Sequence, residues 1–255
     1  MILTDTHTHL YSEEFEADRD EMMQRAINAG VSRFFVPAID ASCTQAMYDL
    51  EAHYPAHVFL MAGLHPCYVK ENFEEELAHV ELQLKQRKFV AIGEIGIDLF
   101  WDKSTLEIQK VAFRRQIQLA KQYQLPIVIH CRDSFDEIFY ILEDEKGADL
   151  RGIFHCFTGT FEQAQLALSY NMKLGIGGVV TFKNGKIDQF INQIPLEELV
   201  LETDSPYLAP VPFRGKRNES GHILLVAKKL SELYQIPIEE IAKITTSTAK
   251  SVFGI

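Results

Sequence analysis

The chain has 255 residues, a formal net charge of −11, and 47% hydrophobic and 11% aromatic residues. This length and composition are typical of a globular protein with a sizeable core, and barrels of alternating strands and helices reach about 250 residues as one unit. The acidic charge argues against a broad basic surface of the kind that wraps duplex nucleic acid. Any contact with a polyanion is therefore expected to be local.

Neither secretion nor membrane insertion is indicated by the sequence. The opening residues MILTDTHTH lack a basic segment followed by an apolar run, and no run of about 18 apolar residues occurs later. The four cysteines show no CxxC spacing, which favours reduced thiols over a disulfide framework. We therefore expect a cytoplasmic protein that is a monomer or a weak oligomer.

Short β-branched or aromatic runs alternate with longer amphipathic segments, and eight such pairs can be counted. The first run, ILTDTH, precedes a helical pattern over residues 13–30 that ends at Gly30, since glycine is a helix stop signal. The later runs are SRFFVPA, VFLMAGL, FVAIGE, PIVIHC, GIFHCF, KLGIGG and LVLETD. Residues 205–221 are then predicted to form a long loop, and loops of this length are usually functional or mobile.

The alternation of strands and helices predicts an α/β fold, a TIM-type (β/α)8 barrel formed by residues 1–255 as a single domain. An open, doubly wound sheet would produce the same alternation and stays an alternative. In a barrel, the inward residue at the carboxyl end of each strand borders the active-site mouth. Polar side chains at the strand ends are therefore the candidates for function.

Histidines occupy the ends of three strand runs. His7 and His9 share one face of the first run, because side chains two residues apart in a strand point the same way. An HxH pair alone is a weak indicator of a metal. The fifth and sixth runs, however, place His130 and His155 at corresponding positions, each followed by a cysteine that is expected to pack outward.

Carboxylates end two further strand runs. Glu94 lies between two glycines in AIGEIGID, and Glu202 and Asp204 lie on one face of the eighth run. A carboxylate among apolar residues needs a partner or a cation, and a salt bridge to a lysine or arginine is the alternative. With the histidines they give six candidate metal ligands: His7, His9, Glu94, His130, His155 and Asp204.

Six ligands exceed the three that a catalytic zinc usually takes from a protein. We therefore expect two divalent metal cations, with Mg, Mn and Zn as candidates, and with Glu94 as the bridging ligand. Two-metal sites favour hydrolysis of phosphate esters, because they promote deprotonation of water and stabilise the charge of the reacting oxygens. Glu94 and Asp204 are the predicted catalytic residues, and Asp204 is also the candidate general base.

Two residues close to strand ends are candidates for substrate binding. His65, in GLHP, could donate a hydrogen bond to a phosphate oxygen or support a ligand, with a structural histidine as the alternative. Arg132, in HCRD, could form a forked pair with a phosphate, whereas the alternative is a salt bridge to Asp133.

Loop residues supply further candidates for contact with a polyanion. Arg214 belongs with Lys216 and Arg217 to the densest basic cluster, for which a solvated charge run is the alternative. Trp101, the only tryptophan, could stack a base together with Phe100, although packing against a neighbouring helix is the favoured interpretation.

The motifs DTHTHL, GLHP, GEIGID, IHCRD, HCFTG and LETDSPYLAPVPFRGKRN occur in this order, and through them the chain resembles the TatD family of metal-dependent deoxyribonucleases, within the amidohydrolase-like barrels. The resemblance implies a nuclease that removes nucleotides from DNA ends, with single strands or ends of DNA as substrate. It further implies that one ion is held by His7, His9 and Asp204, that the other is held by His130 and His155, and that Glu94 bridges them. Family members often carry a tyrosine pair where this chain reads LFWD.

Two other functions remain open at this point. The first is an amidohydrolase-type enzyme that hydrolyses a small amide, lactone or phosphoester, since one barrel supports many chemistries. The second is a non-catalytic metal-binding scaffold, which would bind metal without turnover.

Overall fold

Eight parallel strands form one sheet in chain order. The computed structural model describes residues 1–255. The strands are β1 (Leu3–Asp5), β2 (Val31–Pro37), β3 (Val58–Ala62), β4 (Ala91–Asp98), β5 (Ile127–Arg132), β6 (Gly152–Phe154), β7 (Met172–Ile176) and β8 (Leu199–Leu201). All eight predicted strands are present, so the period-two runs were a sound guide to strand positions.

The sheet closes between its first and last strands. The backbone N–H of Thr6, just after β1, donates a hydrogen bond of 3.0 Å to the carbonyl of Leu201 in β8. The N–H of Asp204 donates to the carbonyl of His7 at 2.9 Å. This closure confirms the predicted barrel and excludes the open sheet, because an open sheet would leave its first and last strands apart.

Eight α-helices surround the barrel or cap it: α1 (Arg19–Asn28), α2 (Thr44–His53), α3 (Phe73–Gln86), α4 (Leu106–Tyr123), α5 (Phe135–Glu145), α6 (Phe161–Ser169), α7 (Ile223–Tyr234) and α8 (Ile238–Phe253). None of them is both long and apolar enough to cross a bilayer. The four cysteines are unpaired, as predicted.

The predicted pairing of every strand with a helix is wrong after β7. Four short 3-10 helices occupy the connection from residue 178 to residue 198, and no α-helix forms there. Gly185 and Pro195 lie within this segment and both disfavour a continuous helix. The first predicted helix is also shorter than residues 13–30, because α1 begins at Arg19 after a separate 3-10 turn.

The inside of the barrel is filled by a small apolar cluster. Strand residues that include Phe35, Met61 and Val128 contact Val252 and Phe253 at the carboxyl end of α8. Thr246 and Thr248 of α8 donate hydrogen bonds to carbonyls that precede β1 and β8, respectively. Helix α8 therefore covers the amino-terminal end of the barrel, and only the carboxyl-terminal end is left for a site.

Candidate metal centre

The structure brings the six predicted ligands together at the carboxyl-terminal end of the barrel. Strands β4 and β5 carry Glu94 and His130 directly. The other four residues lie in the segments that immediately follow strands, where the chain is no longer bound to strand alternation: His7 and His9 after β1, His155 after β6, and Asp204 after β8.

Glu94 lies at the middle of this cluster and is almost completely buried. Its Oε2 atom is 3.0 Å from Nε2 of His7 and 3.6 Å from Nε2 of His9. Its Oε1 atom is 2.7 Å from Nδ1 of His130 and 3.2 Å from Nε2 of His155. The two oxygens of one carboxylate thus face two different pairs of imidazoles.

Asp204 joins the His7 and His9 side of the cluster. Its Oδ1 atom lies 3.5 Å from Nε2 of His9 and 3.8 Å from Nε2 of His7. The sequence placed Asp204 and Glu202 on one strand face, and this is wrong, because β8 ends at Leu201 and Asp204 has a left-handed backbone with φ of 55°. Asp204 consequently turns toward His9, whereas Glu202 turns toward His155.

Two of the imidazoles form a hydrogen bond through their outer nitrogen, and a third faces a carboxylate there without a hydrogen bond. Nε2 of His130 is 2.8 Å from Oδ2 of Asp98, and Nδ1 of His155 is 3.2 Å from Oε1 of Glu202. Nδ1 of His9 is 3.2 Å from the Tyr11 hydroxyl. Partners of this kind fix the orientation of a ligating ring and raise its basicity.

The sequence predicted none of these outer partners as site residues. Asp98 was visible in the motif GEIGID, and Glu202 was noted only for its strand position. The residue Asp5 was also missed: it is completely buried and accepts hydrogen bonds from the Thr203 N–H at 2.9 Å and hydroxyl at 2.6 Å. Burial raises the pKa of Asp5 to about 7. Asp5 therefore links the segments that carry His7 and Asp204.

Acidic and imidazole groups shift one another's pKa within the cluster. Burial opposes ionisation of Glu94, but the surrounding histidines outweigh it and hold the pKa of Glu94 well below its usual value. Burial likewise disfavours the charged form of His155, yet Glu94 and Glu202 raise its pKa well above the usual value. Against the same burial, the hydrogen bond to His130 lowers the pKa of Asp98 to about 2.

His7 differs from these residues. Burial, reinforced by His155, lowers its pKa. The His7 and His155 rings stack with their centroids 3.7 Å apart, and Nδ1 of His7 has no hydrogen-bond partner. Two stacked, buried imidazoles beside buried carboxylates are well suited to bind a cation.

The donor set fits divalent cations. Three overlapping triplets have donor atoms within 4.8 Å of one another, and they are His7 with His9 and Glu94, His7 with His155 and Asp204, and His65 with Glu94 and His130. Buried imidazole and carboxylate donors suit zinc, manganese and related ions. A buried carboxylate requires a partner, and the contacts of Glu94 are with histidines and not with a lysine or arginine.

The predicted substrate contacts are more dispersed than the ligands. His65 lies in the cluster, with Nε2 3.3 Å from Oε1 of Glu94. The Arg132 guanidinium lies 3.6 Å above the centre of the Phe100 ring and 5.5 Å from that of Trp101, and it forms no salt bridge with Asp133. Trp101 is 71% exposed, so the expectation that it packs against a helix is wrong. Asp98 fixes the start of its loop, because its Oδ1 accepts hydrogen bonds from the Phe100 and Trp101 N–H groups.

The basic cluster of the long loop is divided by its contacts. Arg217 binds Asp18 through both terminal nitrogens and donates to the Glu14 carbonyl, so it is not available to a polyanion at the mouth. Arg214 lies with its guanidinium 3.8 Å over the Phe182 ring. Arg214 is therefore the arginine of this cluster that keeps its charge free of an acidic partner.

Comparison with known proteins agrees with this geometry. The model of the family described as TatD related DNase matches residues 4–254. The chain belongs to the TatD family. An uncharacterized metal-dependent hydrolase of Bacillus subtilis, YabD, is 43% identical over the whole length of both chains. The crystal structure of the Escherichia coli TatD homologue YjjV has a TM-score of 0.93 and 32% identity, covering 99% of this chain and 98% of that one.

A more distant TatD-family hydrolase from Entamoeba histolytica has a TM-score of 0.87 at 23% identity, with coverage of 99% of this chain and 98% of that one, and it supports the fold alone. At the level that the closer relatives share, this TatD-family chain is a metal-dependent hydrolase.

Proposed function

We propose that this TatD-family protein is a phosphodiesterase that cleaves DNA from an end with the help of two divalent cations. The proposed ligands are His7, His9, Glu94, His130, His155 and Asp204. The observation that carries the proposal is the position of the Glu94 carboxylate, because its two oxygens face separate pairs of imidazoles. A carboxylate in this arrangement is suited to bridge two ions.

Bound divalent cations would promote deprotonation of water at neutral pH and stabilise negative charge on phosphate oxygens. Around them, the side chains have separate tasks. Asp204 accepts the proton of the attacking water, and its side chain, which is 14% exposed, reaches the mouth where water enters. Asp98 holds His130 in orientation through a hydrogen bond, and Glu202 places a carboxylate 3.2 Å from Nδ1 of His155.

Substrate contacts are proposed on the rim. His65, Arg132 and Arg214 contact phosphate oxygens, and the exposed rings of Phe100 and Trp101 stack an unpaired base. Helix α8 leaves a single open end to the barrel, which favours a DNA terminus over a continuous duplex. The description of the matching family as a DNase supports the same substrate.

A small phosphoester is the second candidate substrate. Arg217 is neutralised by Asp18, and the chain carries a net charge of −11, so the mouth offers little positive charge for a long polyanion. An enzyme for a small substrate needs no more than the central cluster and one or two donors on the rim.

The proposal is tested with end-labelled single-stranded and double-stranded oligonucleotides. The protein is stripped of metal and reconstituted separately with Mg, Mn and Zn, and an Asp204→Asn variant is assayed beside it. Asp149 is exposed, lies in the turn after α5 and is not among the proposed site residues, so Asp149→Asn is the matched control.

We expect laddering from one end that needs metal, is lost in Asp204→Asn despite retained metal, and persists in Asp149→Asn. Turnover of a small phosphodiester without cleavage of any oligonucleotide would instead assign the second substrate. Bound metal without turnover of any ester, amide or lactone would reduce the protein to a metal-binding scaffold.

A further inference from the structure

His65 is a fifth imidazole beside Glu94. It follows β3 and caps the 3-10 helix Pro66–Tyr68. Its Nε2 atom is 3.3 Å from Oε1 of Glu94, and its ring centre is 4.5 Å from that of His130. By distance alone, His65 qualifies as a metal ligand together with these two residues.

The outer nitrogen of His65 decides otherwise. Nδ1 accepts a hydrogen bond of 3.0 Å from the backbone N–H of Cys67. A backbone N–H can only donate, so Nδ1 is unprotonated and its lone pair is already occupied. The single proton of the neutral ring is therefore on Nε2, and a protonated nitrogen has no lone pair to offer a metal.

His130 shows the opposite arrangement. The outer nitrogen of His130 donates to the Asp98 carboxylate, so its inner nitrogen, which faces Glu94, is the one that can lose its proton and bind a metal. Oε1 of Glu202 lies 3.2 Å from Nδ1 of His155, but the two atoms do not form a hydrogen bond. The carboxylate behind His130 thus leaves its inner nitrogen available to a metal, whereas the backbone N–H behind His65 leaves Nε2 protonated.

We propose that His65 is not a metal ligand but a neutral hydrogen-bond donor of the metal centre, and that its Nε2–H contacts an anionic oxygen of the group undergoing hydrolysis. The identity of that oxygen, on phosphate, rests on the proposed function, whereas the assignment of the proton does not.

The position of His65 suits a donor to substrate. Its side chain remains 12% exposed at the carboxyl-terminal end of the barrel. The contact with Glu94, at 3.3 Å, is longer than the 2.7 Å contact that His130 makes with the same oxygen. The ring is held by Cys67 and the backbone N–H of His65 donates to the Ile39 carbonyl at 2.9 Å, so the donor is fixed before substrate arrives. Fixed donors stabilise charge that develops in a transition state.

Histidine-selective ¹⁵N NMR on the full chain tests the assignment directly, with zinc as the added ion. We expect His65 to show a protonated Nε2 and an unprotonated Nδ1 both without and with zinc. His130 should lose its proton from Nδ1 when zinc binds. A zinc-induced change at Nε2 of His65 like the change at Nδ1 of His130 would overturn the proposal.

Variants test the role. His65→Asn keeps an oxygen that can accept the Cys67 N–H, because asparagine is a favourable N-cap, but its amide is too short to reach the Glu94 oxygen. We expect it to bind as many zinc ions per chain as the unmodified protein, whereas His130→Ala binds fewer. With a small phosphodiester, kcat should fall about 100-fold with little change in KM, the scale for removal of one fixed donor. His65→Gln, whose longer amide can donate, should recover part of that loss.

Loss of an ion from His65→Asn, or an unchanged kcat, would contradict the donor role. The two proposals fail separately. If the unmodified protein hydrolysed no phosphodiester, the proposed function would be wrong, while the NMR spectra and the zinc count would still decide the assignment of His65.

Discussion

Side chains at this site are positioned by residues behind the proposed metal ligands as well as by contacts among the ligands themselves. Glu202 illustrates this, because one of its oxygens accepts the Cys156 N–H at 2.5 Å and faces Nδ1 of His155, while the other, Oε2, has no partner. A completely buried carboxylate with a free oxygen is costly unless nearby positive charge offsets it. The negative charge of Glu202 is therefore expected to strengthen metal binding by His155.

Glu202→Gln should weaken metal binding by about 10-fold to 100-fold with the fold retained, because the amide keeps the shape but loses the charge behind His155. A zinc titration followed by calorimetry measures this. Glu198→Gln, which breaks the exposed salt bridge to Lys173, serves as the control and should bind normally. An unchanged affinity in Glu202→Gln would mean that Glu202 is structural only.

Trp101→Ala should raise KM for a single-stranded oligonucleotide about tenfold, since stacking contributes roughly 1–3 kcal/mol per base. The KM for a small phosphodiester should stay the same, because such a substrate does not reach the loop. Tyr140→Ala removes a similarly exposed ring, 66% accessible on α5, and is the matched control. Equal effects of Trp101→Ala on both substrates would argue against stacking.

The identities of the candidate ligands could be predicted at this scale, and their partners could not. Histidines and carboxylates that recur at strand ends are visible as a pattern. Asp98 and Glu202 are visible only as acids beside those patterns, and their contacts with His130 and His155 depend on loop geometry. The backbone N–H behind His65 leaves no trace in residue identity at all.

Among the secondary-structure elements, β7 contributes space rather than ligands. A Cβ atom on Gly175 would lie 2.2 Å from Oε2 of Glu202 and 3.2 Å from Cα of His155. The absent side chain thus makes room for the carboxylate that faces His155.

Gly175→Ala should lower the free energy of unfolding by about 1–3 kcal/mol, as overpacking of a filled core does, and should weaken zinc binding as well. Urea denaturation and a zinc titration measure the two effects. Gly221→Ala is the control, because its nearest neighbour would lie at 3.6 Å, an ordinary contact. Normal zinc affinity in Gly175→Ala would show that Glu202 can move without consequence.

The long loop over residues 205–221 is fastened to the start of α1 by ion pairs. Asp18 binds both Arg25 and Arg217, and Arg25 also binds Glu219. Hydrogen bonds from Arg217 and Arg25 hold the pKa of Asp18 well below its usual value. A carboxylate with a lowered pKa stabilises the folded state above its ordinary pKa, and this stabilisation is lost as the pH falls through the lowered value.

Asp18→Asn should therefore reduce the free energy of unfolding by about 1 kcal/mol at neutral pH, a value typical of partly exposed ion pairs. The difference from the unmodified protein should shrink below about pH 4, where the unfolded chain takes up the proton. Thermal unfolding between pH 3 and pH 7 measures it, with Asp149→Asn as the control. A difference that does not vary with pH would exclude the charge of Asp18 as its cause.

For the molecule as a whole, α8 determines which end of the barrel is usable. Phe253 stacks on Phe35 inside the barrel with ring centres 3.9 Å apart. Phe253→Ala should cost about 3–5 kcal/mol of unfolding free energy, the usual range for a buried phenylalanine. Urea denaturation of the metal-free protein avoids stabilisation by bound ions. Ile255→Ala, at a residue that is 42% exposed, is the control and should leave the free energy of unfolding unchanged. A loss below about 1 kcal/mol for Phe253→Ala would contradict the role of α8 in covering the barrel end.

The overall architecture was predictable because it depends on a repeated pattern. The alternation of eight apolar runs with amphipathic segments predicts parallel strands, whereas the choice of a closed barrel over an open sheet depends on the hydrogen bonds between the segments of β1 and β8. The missing helix after β7 was not predictable from that repeat, since Gly185, Pro195 and the packing of that face decide it locally. The covering of one barrel end by α8 depends on contacts between the two ends of the chain, which spacing does not encode.

Beside Arg132, whose guanidinium lies over Phe100, Asp98 connects the loop of Phe100 and Trp101 to the metal centre. One of its oxygens holds the loop of Phe100 and Trp101, and the other holds His130. A ligand that repositions this loop therefore alters the hydrogen bond behind His130. Binding at the two places is therefore reciprocal. If a ligand on the loop changes the affinity of the centre for metal by some factor, bound metal changes the affinity of the loop for that ligand by the same factor.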